Sequence, residues 1–113
     1  MHMLKLSSYL LVLALFMAVV TAEAETAKSE PIRHQELLYL LKHDCGSCHG
    51  ITLRGGLGPP LTPEALADKS PEFLADIISH GLPGTAMPPW LGLLTREEII
   101  WLTKQMQEGV TPE

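Results

Sequence analysis

Apolar positions along this chain recur at helical spacing, and sustained period-two alternation is absent, so the pattern predicts an all-α protein. Four helices are expected. The first has Ser29 or Glu30 as cap and Pro31 in its opening turn. It runs through the stretch RHQELLYLLKHD (33–44), with Leu37, Leu38 and Leu41 on one face. Thr62 caps a short second helix through Pro63-Glu64-Ala65-Leu66. In the third, Ser70 caps, Pro71 and Glu72 open, and Phe73, Leu74, Ile77 and Ile78 supply the apolar positions. Gly81 is expected to close it in a left-handed conformation. For the fourth, Thr95 and Glu98 have the spacing of a capping box. Ile99, Ile100, Leu102, Lys104 and Met106 follow, and Gly109 ends it.

The start of the chain follows a different pattern. Lys5 precedes an unbroken apolar run from Leu10 to Val20, and Ala22-Glu23-Ala24 then offers a small-residue cleavage site. This is the layout of a secretory signal peptide, and the run falls short of the ~20 residues that span a bilayer. We therefore expect residues 1–24 to be removed, 25–30 to be a disordered leader, and 31–113 to form one small domain. Contact with a membrane is expected only through an unprocessed signal segment. The chain carries 13 Asp and Glu against 8 Lys and Arg, a net charge of −5. That balance argues against a nucleic-acid partner and against anionic lipid. It suits docking to a basic surface and equally suits plain solubility.

Two long loops, 49–61 and 82–94, are rich in Gly and Pro, and loops of this length in so small a domain tend to carry function. The first begins at Cys45-Gly46-Ser47-Cys48-His49, a C-x-x-C-H run that reads as a c-type haem attachment site. The two thiols can add across the vinyl groups of one haem, and the adjacent imidazole can bind its iron. A dithiol redox motif would need a strand–helix context, and a zinc site a second Cys/His pair; the chain shows neither. One covalently bound haem c is expected, attached through Cys45 and Cys48, with His49 as an axial ligand. A small core is marginal unaided, so the haem-free chain is expected to be largely unfolded.

Candidates for the second axial ligand are Met87, Met106, His34, His43 and His80. Met87 is favoured, because Gly84 and the pair Pro88-Pro89 stiffen its loop and a stiff loop presents a weak thioether ligand at little ordering cost. Met106 lies in an amphipathic helix and reads as core. His80 is the runner-up, although capping the third helix is its simpler role. His34 and His43 read as surface residues. Behind His49, the carbonyl of Pro59 is expected to accept the Nδ1 proton, with Gly55, Gly56 and Gly58 allowing close passage and Leu61 packing on the haem face. Trp101 reads as core beside Tyr39 or Leu41. Trp90 fits two roles, a propionate donor or an apolar plug.

These residues together resemble a class I cytochrome c: a helix entering C-x-x-C-H, a G-P-x-L-type turn at Gly58 to Leu61, a distal Met87 on a loop, and a C-terminal helix at 95–109. The stretches DCGSCHGITLRGGLGPPLTPEAL (44–66) and HGLPGTAMPPWLGLLT (80–95) are similar to the cytochrome c55X family, small cytochromes encoded with the haem-d1 nitrite reductase of denitrifying bacteria. The resemblance implies a small single-haem fold of three to four helices around haem c, and a periplasmic location. It implies electron delivery to nitrite reductase, or a part in making or inserting haem d1 alongside its maturation proteins. It implies no catalytic activity of the chain's own. A gas sensor or peroxidase with a labile Met87 is the remaining reading.

Overall fold

The computed structural model describes residues 9–12 and 30–110. The chain divides into two units, Met1–Gln35 and Glu36–Glu113. In the first, the described residues 9–12 and 30–35 are helical, and Tyr9, Leu10, Leu11 and Val12 are all exposed. The rest of the expected signal peptide and leader, residues 1–8 and 13–29, lies outside the described residues, as does the expected cap at Ser29; Glu30 is already helical.

The second unit is all-helical among its described residues. In this unit helix α1 occupies residues 36–40. The backbone then widens into a π-helical turn, Leu41–Cys45, and returns to α-geometry as α2, Gly46–His49. Expectation and structure differ here, since an ordinary helix was expected through Asp44. The amide of Gly46 donates to the carbonyl of Leu41, five residues back instead of four. Such a turn inserts one residue into the helical ladder and offsets everything after it, and π-turns of this kind concentrate at functional sites.

Helices α3 (Pro63–Leu66), α4 (Pro71–His80) and α5 (Arg96–Glu108) follow. Each begins where a hydroxyl satisfies an amide that the helix leaves unpaired. Thr62 accepts from Ala65 N, Ser70 from Phe73 N and Thr95 from Glu98 N. At α5 the box is complete, for Thr95 N also donates to Glu98 Oε2 at 2.8 Å. Gly109, left-handed at φ 78°, ends α5. Its amide reaches Met106 O at 3.2 Å and that of Val110 reaches Gln105 O at 3.0 Å, which together form a Schellman stop.

Leu37, Leu41, Leu53, Leu66, Leu74, Ala75, Leu94, Ile99, Leu102 and Met106 form one buried cluster. Helix α5 packs against α4 and α3. It contributes Ile99, Leu102, Thr103 and Met106, a stripe at helical spacing. Helix α4 buries Leu74, Ala75 and Ser79, whereas Phe73 stays exposed. Of the apolar positions expected on α4, Leu74 is buried and Ile78 packs against the core cluster, but Phe73 is exposed. Both buried hydroxyls are satisfied. Thr103 donates to Ile100 O at 2.7 Å, and Ser79 accepts from Arg96, whose guanidinium also pairs with Asp76 at 2.6 Å. Trp101 is half-buried against the cluster. The Tyr39 ring is exposed and lies 4.2 Å, centroid to centroid, from that of His43.

Candidate functional site

Cys45 closes the π-helical turn, and α2, which follows directly, carries Cys48 and His49, so the three side chains lie within about one turn. Both cysteines are unbridged thiols with part of their surface accessible. Burial, and then the charge of Asp44, push the Cys45 thiol up to about 11, so it stays protonated at neutral pH. The loop after α2 folds back on its end. Gly55 N donates to His49 O and Gly58 N to Cys48 O, both at 2.8 Å, which satisfies carbonyls the short helix leaves unpaired. Leu61 N returns to Leu53 O at 2.8 Å and closes the loop. Leu53 itself has a positive φ of 58°, unusual for a branched side chain, and burial of that side chain in the core opposes the strain.

This folded-back loop carries the chemistry of His49. Its Nδ1 stands 2.7 Å from the carbonyl of Pro59. A carbonyl only accepts, so Nδ1 holds the proton and Nε2 presents its lone pair outward, the tautomer a metal-binding imidazole needs. Gly58 makes this approach possible. A Cβ there would lie 2.7 Å from both Nδ1 and Cε1 of the ring. Leu61 is half-buried against the core cluster. Two accessible thiols and an imidazole with its tautomer fixed from behind suit a covalently attached haem.

The Met87 loop is built on the C-terminal end of α4. Trp90 N donates to Ile78 O at 3.0 Å and Leu91 N to Ser79 O at 3.2 Å. Gly81 has φ 68° and ψ −175°. The left-handed closure expected from sequence is therefore absent: φ is positive but ψ is extended. The reason is steric, since a Cβ at Gly81 would stand 2.7 Å from Met87 O and 2.8 Å from Pro89 N. The glycine both ends α4 and lets the Met87-Pro88-Pro89 backbone cross over it. Met87 is half-buried, and Trp90 is half-buried against the core cluster.

The other ligand candidates have evident partners elsewhere. Met106 is fully within the core. His80 Nδ1 donates to Asp76 O at 3.0 Å on its own helix, and His43 stacks on Tyr39. His34 also has an interaction partner. Among the described residues, no group of three or more His, Cys, Asp or Glu side chains is disposed to hold a metal ion, and no helix is long and apolar enough to cross a membrane. Sequence reasoning passed over Leu53, Gly81 as a crossing point, and Thr85. Only Thr85 had a local signal, a hydroxyl two residues before Met87 in a Pro-Gly turn.

The fold and this site define a single-haem c-type cytochrome domain. Residues 33–104 match the family described as cytochrome c oxidase, cbb3-type, subunit III. Cytochrome c55X of Paracoccus denitrificans is 44% identical over 99 residues, spanning 88% of this chain and 96% of the relative. A solved structure titled c-type cytochrome NirC superposes with a TM-score of 0.69 at 49% identity, covering 72% of this chain and 95% of the other. A shorter match, 40% over 55 residues, is to the dihydro-heme d1 dehydrogenase of Pseudomonas aeruginosa; it covers 49% of this chain and 11% of that protein. The chain belongs to the cytochrome c55X family and carries one haem c.

Proposed function

We propose that this protein is a periplasmic electron carrier that serves the haem-d1 nitrite reductase system and has no catalytic activity of its own. In this reading Cys45 and Cys48 hold the haem through thioether bonds, and His49 Nε2 and Met87 sulfur hold its iron. When bound, that haem supplies a metal that changes charge by one electron. The chain's residues set the terms of that change. Pro59 keeps the His49 ring oriented by accepting the hydrogen bond from its Nδ1. Pro88 and Pro89 hold the Met87 backbone with few alternatives. Two protein ligands leave no site for oxygen or peroxide, which favours a carrier over a sensor or peroxidase. Leu61, half-buried against the core cluster, would pack on the haem face and limit water there. The observation that carries this reading is the His49–Pro59 contact within a C-x-x-C-H turn.

The apolar run at Leu10 to Val20, with the small residues after it, supports export to the periplasm. A test of the ligand set is the sulfur-to-iron charge-transfer band of the oxidised protein. The band should be present in the native protein and missing in Met87→Ala; its presence in that variant would rule Met87 out.

A second reading has its own support in the match to a dihydro-heme d1 dehydrogenase. A dehydrogenase must pass its electrons on, and a small cytochrome resembling part of that protein suits the receiving role. The chain would then serve the making of haem d1, or its installation as an assembly partner. Deleting the gene separates the two. Nitrite reductase that is full of haem d1 but slow to turn over supports the carrier, whereas an empty d1 site supports maturation.

A further inference from the structure

The segment Leu82 to Met87 is a closed loop with one side chain at its centre. Thr85 N donates to Leu82 O at 3.1 Å, Pro83 and Gly84 lie between, and Gly84 has φ 79°, the arrangement of a type II turn. A Cβ at Gly84 would meet nothing within 4 Å, so glycine is needed there for its backbone angle and not for space. Leu82 N then donates to Met87 O at 3.2 Å and shuts the loop. Between these two bonds sits the Thr85 hydroxyl. It donates to Leu82 O at 2.7 Å and accepts from Met87 N at 3.3 Å.

Thr85 itself is exposed, so its side chain does not fill the core. Its oxygen joins the turn to the Met87 backbone at the residue whose sulfur faces the weakest bonding task in the protein. Pro88 and Pro89 have no amide hydrogen and add no donor of their own here. Without the hydroxyl, the Met87 amide loses its acceptor in the loop and the residue's backbone gains freedom.

We infer that Thr85 is a positioning residue for the iron's sulfur ligand: its hydroxyl holds the Met87 backbone so that the thioether is presented already ordered. This rests on the proposal that Met87 is that ligand. Opening of the sulfur bond is what an outside ligand must wait for. The apparent affinity of such a ligand scales with the fraction of molecules already open.

The test uses the haem-loaded, oxidised protein titrated with imidazole, followed by loss of the sulfur-to-iron band. Losing one hydrogen bond of this kind shifts an equilibrium by about 3- to 10-fold. Thr85→Val keeps the branched shape and removes the hydroxyl, and it should bind imidazole about 3- to 10-fold more tightly. Thr85→Ser restores the hydroxyl and should titrate like the native protein. A native-like imidazole midpoint in Thr85→Val would overturn the inference while leaving Met87 in place. So would a tightened midpoint that Thr85→Ser fails to reverse. A native protein with no sulfur band would instead overturn the Met87 assignment itself, and with it this inference. A purely structural role for Thr85 would lower the unfolding midpoint and leave the imidazole midpoint alone, which also counts against the proposal.

Discussion

Gly58→Ala is the most direct probe of how the chain tunes its proposed iron ligand. The new methyl would lie 2.7 Å from Nδ1 and Cε1 of His49 and 3.2 Å from Cγ. Comfortable contacts begin near ~3.5 Å, so the ring and the loop must separate by about 1 Å. The contact between Nδ1 and Pro59 O starts at 2.7 Å. Separation of that size carries it past the ~3.2 Å at which such bonds weaken. A net loss of about 0.5–1.5 kcal/mol follows. Nδ1–H donation makes the imidazole a stronger donor and so favours the oxidised metal. Its loss should raise the reduction potential by up to about 65 mV, the limit set by ~59 mV and ~1.4 kcal/mol per tenfold for one electron, since only the part of the bond energy that differs between the two oxidation states counts. The assay is an optical redox titration of the haem-loaded protein. Gly55→Ala is the control. Its φ of 105° strains any side chain, yet a Cβ there would touch Pro60 at 3.5 Å and not the His49 ring. It should lose stability with its potential unmoved. An unchanged or lowered potential in folded Gly58→Ala protein would show that the bond from His49 Nδ1 to Pro59 O does not tune the iron.

The remaining predictions concern the core, the caps and the thiols. Met106→Ala should cost about 2–5 kcal/mol in chemical unfolding, as for a large buried side chain, while the sulfur-to-iron band survives; loss of the band would mean that Met106 is a ligand. Thr95→Ala removes one half of the capping box and should cost about 0.5–2 kcal/mol, read from the shift in denaturation midpoint. Replacing Cys45 and Cys48 together by Ala should abolish haem attachment and cooperative unfolding by circular dichroism, and a sharp native-like transition would show that the core stands alone. In the haem-free native sequence, Cys45 reports the same equilibrium through its pKa. Burial pushes its thiol up to about 11 when packed, from an ordinary thiol value of 9.0 when free. The raised value stabilises the packed form below pH ~9, and that contribution fades as pH climbs through ~11. An unfolded haem-free chain should therefore alkylate at Cys45 with the profile of an ordinary thiol.

Much of the helical scaffold is legible in the chain because its signals are local. Thr62, Ser70 and Thr95 each act on an amide three residues away. Gly109 acts on carbonyls three to five residues before the bonds' donors. The C-x-x-C-H run and the Met87-Pro88-Pro89 loop announce themselves by residue type and spacing alone. Where local reading fell short, a packing partner had decided the matter. Phe73 had the hydrophobicity for the core, but it stays exposed while Leu74 and Ala75 beside it are buried. Gly81 was recognisable as a helix terminator, but its ψ is set by the Met87-Pro88-Pro89 backbone lying over it.

The chain's chemistry follows from sequence: two thiols and an imidazole in one turn, a thioether in a stiff loop, and capped helices to carry them. Residue types and short spacings suffice for that, because thioether attachment, capping and turn formation act over a few bonds. Tertiary structure alone decided how those groups are aimed. The π-turn at Leu41–Cys45, the seat of the His49 ring against Gly58, the buried strain at Leu53 and the Thr85 clasp on Met87 depend on which atoms meet once the loops close. A gap of a few tenths of an ångström separates a working contact from a clash, and periodicity along a chain does not encode distances that fine.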